Sequence, residues 1–214
     1  MIMIAKSIGD LYIYGASGHG KVVLYTFSAN GVPVAGFIDD GVSGMFCDLP
    51  VVTPTQLLSI KNDKEAIRDR FHIAIGSNEL RESKFNQLVA LGFLPESAIH
   101  PAAVIYPSAV LGSACLVAAT AIVAPSASVG DACILNHGAI VDHDCIVGAF
   151  THCAPNVTLG GNVRVGKSCL IGSGAVILPG LTIGNYVTVG AGAVVTKNIS
   201  DNQVIAGSPA ISLA

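Results

Sequence analysis

Between Asn136 and His152 an otherwise aliphatic stretch carries seven polar side chains: Asn136, His137, Asp142, His143, Asp144, Thr151 and His152. An imidazole titrates near neutrality and can take a proton at physiological pH, and a neighbouring carboxylate stabilises its charged form and raises its basicity. His143 has Asp144 on one side and Asp142 on the other, which makes it the candidate general base. Spacing alone leaves both carboxylates open as its partner, and the plain alternative is a solvated surface histidine. A zinc site would need converging ligands and groups to orient them. His137 and His143 fall on different faces of the repeat described below, so their spacing argues against a metal.

A second group of residues suits phosphate and sugar. Leu11 to Tyr14 reads as a short strand, followed by Gly15, Ala16, Ser17, Gly18, His19 and Gly20 and then by a helix over Lys21 to Asn30. A strand, a glycine turn and a helix open a nucleotide-binding βαβ unit, where backbone N–H groups at the helix start face a phosphate. The spacing is G-x-x-G-x-G, not the G-x-G-x-x-G of the dinucleotide fingerprint, and a lone glycine loop is weak evidence. The next strand, Val34 to Ile38, ends in Asp39 and Asp40, where an acidic side chain can accept from a ribose or a base. Pro54 to Lys61 suggests a short helix, and Phe71 to Ile75 is a third strand ending in Gly76, Ser77, Asn78 and Glu79, followed by a helix to about Leu91. Taken singly, the acidic pair is a turn and Asn78 a helix cap. Three such loops at one edge of a parallel sheet favour a ligand crevice.

The base candidates need a scaffold, and the chain supplies one from Ile99 to about Asn198. Every sixth residue from Ile105 to Val195 is apolar, and the fourth residue after each is small or apolar, as in Ala109, Cys115, Ala121 and Ala127. Glycine often follows the aliphatic position, as at Gly112, Gly130, Gly148 and Gly160, where the backbone is expected to bend. A fixed six-residue period signals a solenoid whose units stack on one another. Three hexads close an eighteen-residue triangular coil, so residues eighteen apart sit about 4.8 Å apart by strand spacing. Gly161 therefore stacks on His143, where a glycine leaves room for a ligand and its N–H can face a developing oxyanion.

The composition agrees with a low-charge coil. The 214 residues are 51% hydrophobic and 12% charged, with 24 Gly and no Trp. A formal charge of -3 offers no basic stripe for nucleic acid. No apolar run reaches the twenty or so residues of a membrane span, and Met1 to Asp10 shows no cleavage-like site, so a cytoplasmic location is expected. Of the six cysteines, Cys115, Cys133, Cys145 and Cys169 occupy the small inward position and Cys153 the aliphatic one, while Cys47 lies outside the repeat. The frame explains the five as buried hydrophobes, which makes them poor nucleophiles.

The motifs Y-G-A-S-G-H-G at Tyr14 to Gly20, I-D-D at Ile38 to Asp40, A-I-G-S-N-E at Ala74 to Glu79, D-H-D-C-I-V-G at Asp142 to Gly148 and G-S-P-A at Gly207 to Ala210, together with the hexads, resemble the sialic-acid O-acetyltransferase-like hexapeptide family. Within it the sequence is most similar to UDP-4-amino-sugar N-acetyltransferases of bacillosamine synthesis. The resemblance implies an α/β Rossmann-like UDP-sugar domain over residues 1–95 and a left-handed parallel β-helix acyltransferase domain over 96–214. It implies His143 as general base, with Asp144 raising its basicity where the compared enzymes have glutamate. It further implies UDP-sugar contacts from Ser17, Gly18, His19, Asp39, Asp40 and Gly76, and acetyl-CoA contacts from His152, Gly161, Ser173 and Ala191. Acetyl-CoA is the implied cosubstrate, with no metal, and a homotrimer is the implied assembly, with the cosubstrate between neighbouring coils.

The expected reaction is direct acetyl transfer to the C4 amine of a UDP-4-amino-4,6-dideoxy sugar for glycan or glycoprotein synthesis. An O-acetyltransferase on sialic acid or another sugar hydroxyl would use the same base, and a noncatalytic scaffold would share only the repeats. The UDP-site motifs favour the nucleotide sugar.

Overall fold

The computed structural model describes residues 9–60 and 69–213. Met1 to Ile8 and Lys61, which figure in the expectations above, lie outside the described residues. The N-terminal part is a six-stranded sheet in the order β3-β4-β2-β1-β5-β6. Its elements are β1 (Leu11–Tyr14), α1 (Gly18–Ala29), β2 (Gly36–Ile38), β3 (Gly44–Phe46), β4 (Leu49–Val52), α2 (Pro54–Ile60), β5 (Arg70–Ile73), α3 (Asn78–Ala90) and β6 (Leu94–Pro95). The strands β1, β2, β5 and β6 run parallel, and β1 is flanked by β2 and β5. Ile13, Phe37 and Phe71 are fully buried, as an apolar strand covered on both faces requires. The hairpin of β3 and β4 and the short β6 are absent from the sequence expectations, and α1 begins three residues earlier than Lys21.

From Ala98 the chain winds as a parallel β-helix of two-residue strands with three faces. The first face begins with Ala98–Ile99, Leu116–Val117 and Ile134–Leu135, the second with Val104–Ile105 and Ile122–Val123, and the third with Val110–Leu111 and Ser128–Val129. Residues eighteen apart are in register, as Val141 with Leu159. The aliphatic and small positions fill a single core that includes Val117, Val123, Cys133, Leu135, Val141, Leu159 and Ile177.

The corners differ from expectation in their physical reason. From Leu111 to Val189 the residue three after each aliphatic position takes the left-handed conformation: Ala114, Thr120, Ser126, Ala132, Gly138, Asp144, Phe150, Asn156, Asn162 and Ser168 are among those with positive φ. Most are not glycine, so the repeat imposes a conformation that costs an L-residue energy. The glycines right after the aliphatic residue have no positive φ. They permit close stacking: a Cβ on Gly130 would sit 2.6 Å from the Ala149 nitrogen. The position between these two donates no ladder hydrogen bond anywhere from Pro101 to Lys197. Proline lacks that N–H and fits there, which accounts for Pro101, Pro107, Pro125, Pro155 and Pro179.

The N-terminal sheet covers the start of the first face. Ala98, Leu116, Ala118 and Ile134 share a core with Leu11, Val23 and Phe27. Arg81 of α3 crosses from one part to the other and is almost fully buried. Its Nε donates to the Ala132 carbonyl at 2.8 Å, Nη1 to Ile75 and Gly76, and Nη2 to Asn78 Oδ1 and the Phe150 carbonyl. Burial lowers its pKa to about 10. Asn78 in turn donates to the Cys169 carbonyl at 2.9 Å, and the helix cap expected of it falls to Ser77, whose hydroxyl accepts from Leu80 N–H.

Candidate functional site

His143 and Asp144 stand at the corner between the second and third faces. The corner conformation brings them together: Asp144 has φ 60°, a region that aspartate tolerates better than most residues, and its Oδ2 lies 2.8 Å from His143 Nδ1. The aspartate arm therefore reaches the ring. Asp142, the competing carboxylate, instead accepts the His143 backbone N–H at 2.7 Å and caps the open corner amide. The His143 side chain is 60% exposed. The bond to Asp144, then the charges of Asp142 and Asp144, raise its pKa above the ordinary imidazole value. With Nδ1 held by the carboxylate, Nε2 is the nitrogen free to take a proton.

Gly161 lies one coil on. A Cβ there would sit 2.5 Å from His143 Nε2, so the absence of a side chain lets the ring occupy this place. Its N–H has no hydrogen-bond acceptor among the described residues. A base nitrogen and an open amide side by side can serve a proton transfer and an oxyanion.

The second cluster forms at the carboxyl ends of β1, β2 and β5, where Tyr14, Gly15, Ser17, Asp39, Asp40, Ala74, Ile75, Gly76 and Leu80 line a cavity of about 310 Å³. Gly15 needs its identity, with φ 113° and the Ala74 carbonyl 2.8 Å from where a Cβ would be. Gly18 is already the first residue of α1, and Ser17, its N-cap, makes no side-chain capping bond, so the helix start is open to an anion. The two aspartates divide the work. Asp39 accepts from the backbone N–H groups of Ala16, Gly41 and Val42, which together outweigh its burial and lower its pKa. Its carboxylate shapes the loops. Asp40 faces the opening, with Oδ2 accepting from Tyr14 Oη at 2.9 Å and from Lys84 Nζ at 2.6 Å.

His19 and His152 meet where the N-terminal part rests on the first face, with ring centroids 6.4 Å apart. Burial lowers both pKa values to about 4, helped by the charge of Arg81, so both are neutral at pH 7. Ser173 and Ala191 are exposed and lie eighteen apart on the corner between the first and second faces, as does His137 two coils below Ser173. His137 accordingly sits on a different corner from His143, its Nδ1 2.8 Å from Asn136 Oδ1. All five cysteines of the coil are buried, with free thiols. Burial raises Cys153 to about 12 and Cys115 to about 11.

Sequence reasoning missed Arg81 and Lys84. The only signal for either was a cation on a helix following the third strand-end loop. Among the described residues no cluster of three or more His, Cys, Asp or Glu is arranged to hold a metal ion, and no helix is long and apolar enough to cross a membrane.

Two family models match, the PglD N-terminal domain over residues 10–88 and the bacterial transferase hexapeptide (six repeats) over residues 162–197. Among solved structures, a histidine mutant of GDP-perosamine N-acetyl transferase from Caulobacter crescentus, in complex with CoA and GDP-perosamine, is 36% identical with a TM-score of 0.91, over 97% of this chain and 98% of that one. The acetyltransferase domain of PglB from Neisseria gonorrhoeae, in complex with acetyl coenzyme A, is 37% identical with a TM-score of 0.88, over 97% of this chain and 100% of that one. WeeI from Acinetobacter baumannii is 27% identical with a TM-score of 0.77, over 95% and 99%.

Proposed function

Given that the chain belongs to the sugar N-acetyltransferases that join a PglD-type N-terminal domain to a hexapeptide-repeat left-handed β-helix, we propose that it transfers the acetyl group of acetyl-CoA to the C4 amine of a UDP-linked 4-amino-4,6-dideoxy sugar. The product would be UDP-N,N'-diacetylbacillosamine or a related sugar, made in the cytoplasm for a glycan. The observation that carries this reading is the His143–Asp144 pair stacked on Gly161.

In this mechanism the amine lone pair attacks the thioester carbonyl while His143 Nε2 takes the amine proton. Asp144 holds the ring by Nδ1 and stabilises the imidazolium. The Gly161 N–H donates to the tetrahedral oxyanion, which collapses with loss of the CoA thiolate, and the imidazolium proton returns to sulfur. No acyl-enzyme forms, in keeping with thiols whose pKa values burial has raised.

Two copies complete the site. The nucleotide cavity belongs to the sheet that covers the first face, whereas His143 stands at the opposite corner, between the second and third faces. The sugar amine would therefore reach the base of a neighbouring subunit. The second face supports such packing: its outward residues Val104, Ile122, Ile140, Thr158, Val176 and Val194 carry no charge, and Val104 is 49% exposed. Closing three copies around that face sets the corner that bears Ser173 and Ala191 beside the neighbour's His143 and Gly161, and acetyl-CoA would lie in the groove between them. Ser17, Gly18, His19, Asp40 and Gly76 would hold the nucleotide sugar, with Asp39 shaping the loop and His152 near the acetyl end.

The test is thiol release and product mass with acetyl-CoA and either a UDP-4-amino-4,6-dideoxy sugar or GDP-perosamine, beside His143→Ala. Turnover of the UDP sugar that collapses in the mutant is expected. Turnover of GDP-perosamine alone would keep the reaction and overturn the UDP assignment, and turnover that survives the mutation would move the base elsewhere.

A further inference from the structure

Lys84 lies on α3, six residues beyond the helix start and five beyond the end of the A-I-G-S-N-E motif, so no nucleotide-binding motif of the chain includes the residue itself. Its side chain is only 16% exposed although lysine normally keeps its ammonium in water, and Nζ lies 5.1 Å from the Tyr14 ring centroid. The ammonium holds Asp40 Oδ2 at 2.6 Å and also meets the Tyr14 hydroxyl. Tyr14 Oη donates to the same oxygen at 2.9 Å. Two donors thus saturate one carboxylate oxygen, while Oδ1 has no partner among the described residues and the side chain is 56% exposed at the mouth of the cavity. Asp39 next door is spent on three backbone amides. Of the adjacent carboxylates, one builds the loop and the other is held from behind with a single oxygen presented outward.

We propose that Lys84 is a positioning residue, which with Tyr14 fixes Asp40 so that Oδ1 accepts a hydrogen bond from the nucleoside of the bound nucleotide sugar. This rests on the nucleotide-sugar reading above. The lysine bond is the main cause that keeps Asp40 below the usual carboxylate range, so the acceptor is ionised wherever the enzyme works. A charged acceptor makes a stronger bond to an N–H or O–H than a neutral one. The donor is a ribose hydroxyl or the N–H of a base edge. Both present the same chemistry to Oδ1, and both lie on the part of the ligand farthest from the reacting amine. The role is therefore one of binding that ground state and transition state share equally, so it acts on KM and not on kcat.

The experiment measures binding of UDP and of GDP to the full-length protein by calorimetry, for the wild type, Lys84→Met and Lys84→Arg, with melting temperatures alongside. For whichever nucleotide binds, Lys84→Met is expected to weaken it roughly tenfold or more, with Lys84→Arg within a few-fold of wild type. In turnover the KM for the nucleotide sugar rises while kcat and the KM for acetyl-CoA stay put. The 2′-deoxy nucleotide and the nucleotide methylated at its base N–H identify the donor, since the one that removes it no longer distinguishes wild type from Lys84→Met. Equal nucleotide affinity in wild type and Lys84→Met, with only the melting temperature lowered, overturns the proposal and leaves Lys84 a structural residue. A wild type that binds neither UDP nor GDP overturns the nucleotide reading as a whole.

Discussion

Gly161 lies against the imidazole of His143 one coil away, so close that a Cβ on the glycine would sit 2.5 Å from Nε2 and 2.6 Å from Cε1. The contact is with the end of an exposed side chain, so Gly161→Ala pushes the ring aside and leaves the coil standing. The expected result is a loss of at least about a hundredfold in kcat/KM with a melting temperature close to wild type. A fall in stability matching the loss of activity would count against a catalytic role for the contact.

The His143–Asp144 bond predicts a pH profile. The base works only when neutral, and Asp144 raises its pKa above the ordinary imidazole value. The acid limb of kcat/KM should therefore fall at a pH above 6.5 in the wild type, and Asp144→Asn should move it down while lowering the plateau. An acid limb unmoved by Asp144→Asn would show that the limb reports another group.

The coil thiols are expected to be bystanders. Cys145→Ala and Cys153→Ala should keep kcat near wild type, and mass spectrometry of the enzyme mixed with acetyl-CoA alone should find no added acetyl group. An acetylated cysteine that forms and decays at the rate of turnover would replace direct transfer by a two-step path.

Arg81 donates to oxygens of Ile75, Gly76, Asn78, Ala132 and Phe150 and so ties the loop after β5 to the coil. Arg81→Met strands buried carbonyls, and a loss on the order of 3 kcal/mol or more is expected. For a chain of this size that is a melting shift of roughly 6–12 °C. Lysine has three donors to arginine's five, so Arg81→Lys should recover only part of it. A shift under about 2 °C in calorimetry would mean that the two parts hold together without this side chain.

Buried histidines set an acid boundary on stability. His72 is wholly buried, with Nδ1 2.9 Å from the Glu96 carbonyl, and burial lowers its pKa to about 4, as it does for His19 and His152. Folded values below the unfolded 6.5 mean that the unfolded chain binds protons first as pH falls. Stability is full above pH 6.5 and drains between 6.5 and about 4, by an amount on the order of 3 kcal/mol for His72. Urea midpoints at pH 7.5, 6 and 5 should fall in that order, and His72→Gln should flatten the slope. A flat profile in the wild type would place these rings in contact with water.

The coil was legible because a fixed six-residue period stacks three hexads to a turn, with its hand supplied by the family resemblance alone, and the inward positions of Cys115, Cys133, Cys145, Cys153 and Cys169 followed from it. The strand-end loops were legible as a crevice for the same kind of reason, since chain order fixes which ends of parallel strands lie together. Spacing could not tell Asp142 from Asp144, because the choice depends on a left-handed residue whose conformation the aspartate's identity does not announce. It also misread the glycines after the aliphatic positions, which serve contact between coils and not bending. Arg81 and Lys84 stayed hidden because each acts on residues distant in sequence, Arg81 on Ala132 and Phe150 and Lys84 on Asp40.

One position in every six donates to no backbone carbonyl, and along the corner that bears His143 that place is held in turn by Pro107, Pro125, His143, Gly161, Pro179 and Lys197. The scaffold has thus left one site per coil where a side chain can change without cost to the core. Moving an imidazole along this corner would carry it in steps of one strand spacing, about 4.8 Å, at constant orientation. Each such step would have to bring two partners along, an acidic residue next in the chain and a glycine one coil on, as Asp144 and Gly161 serve His143.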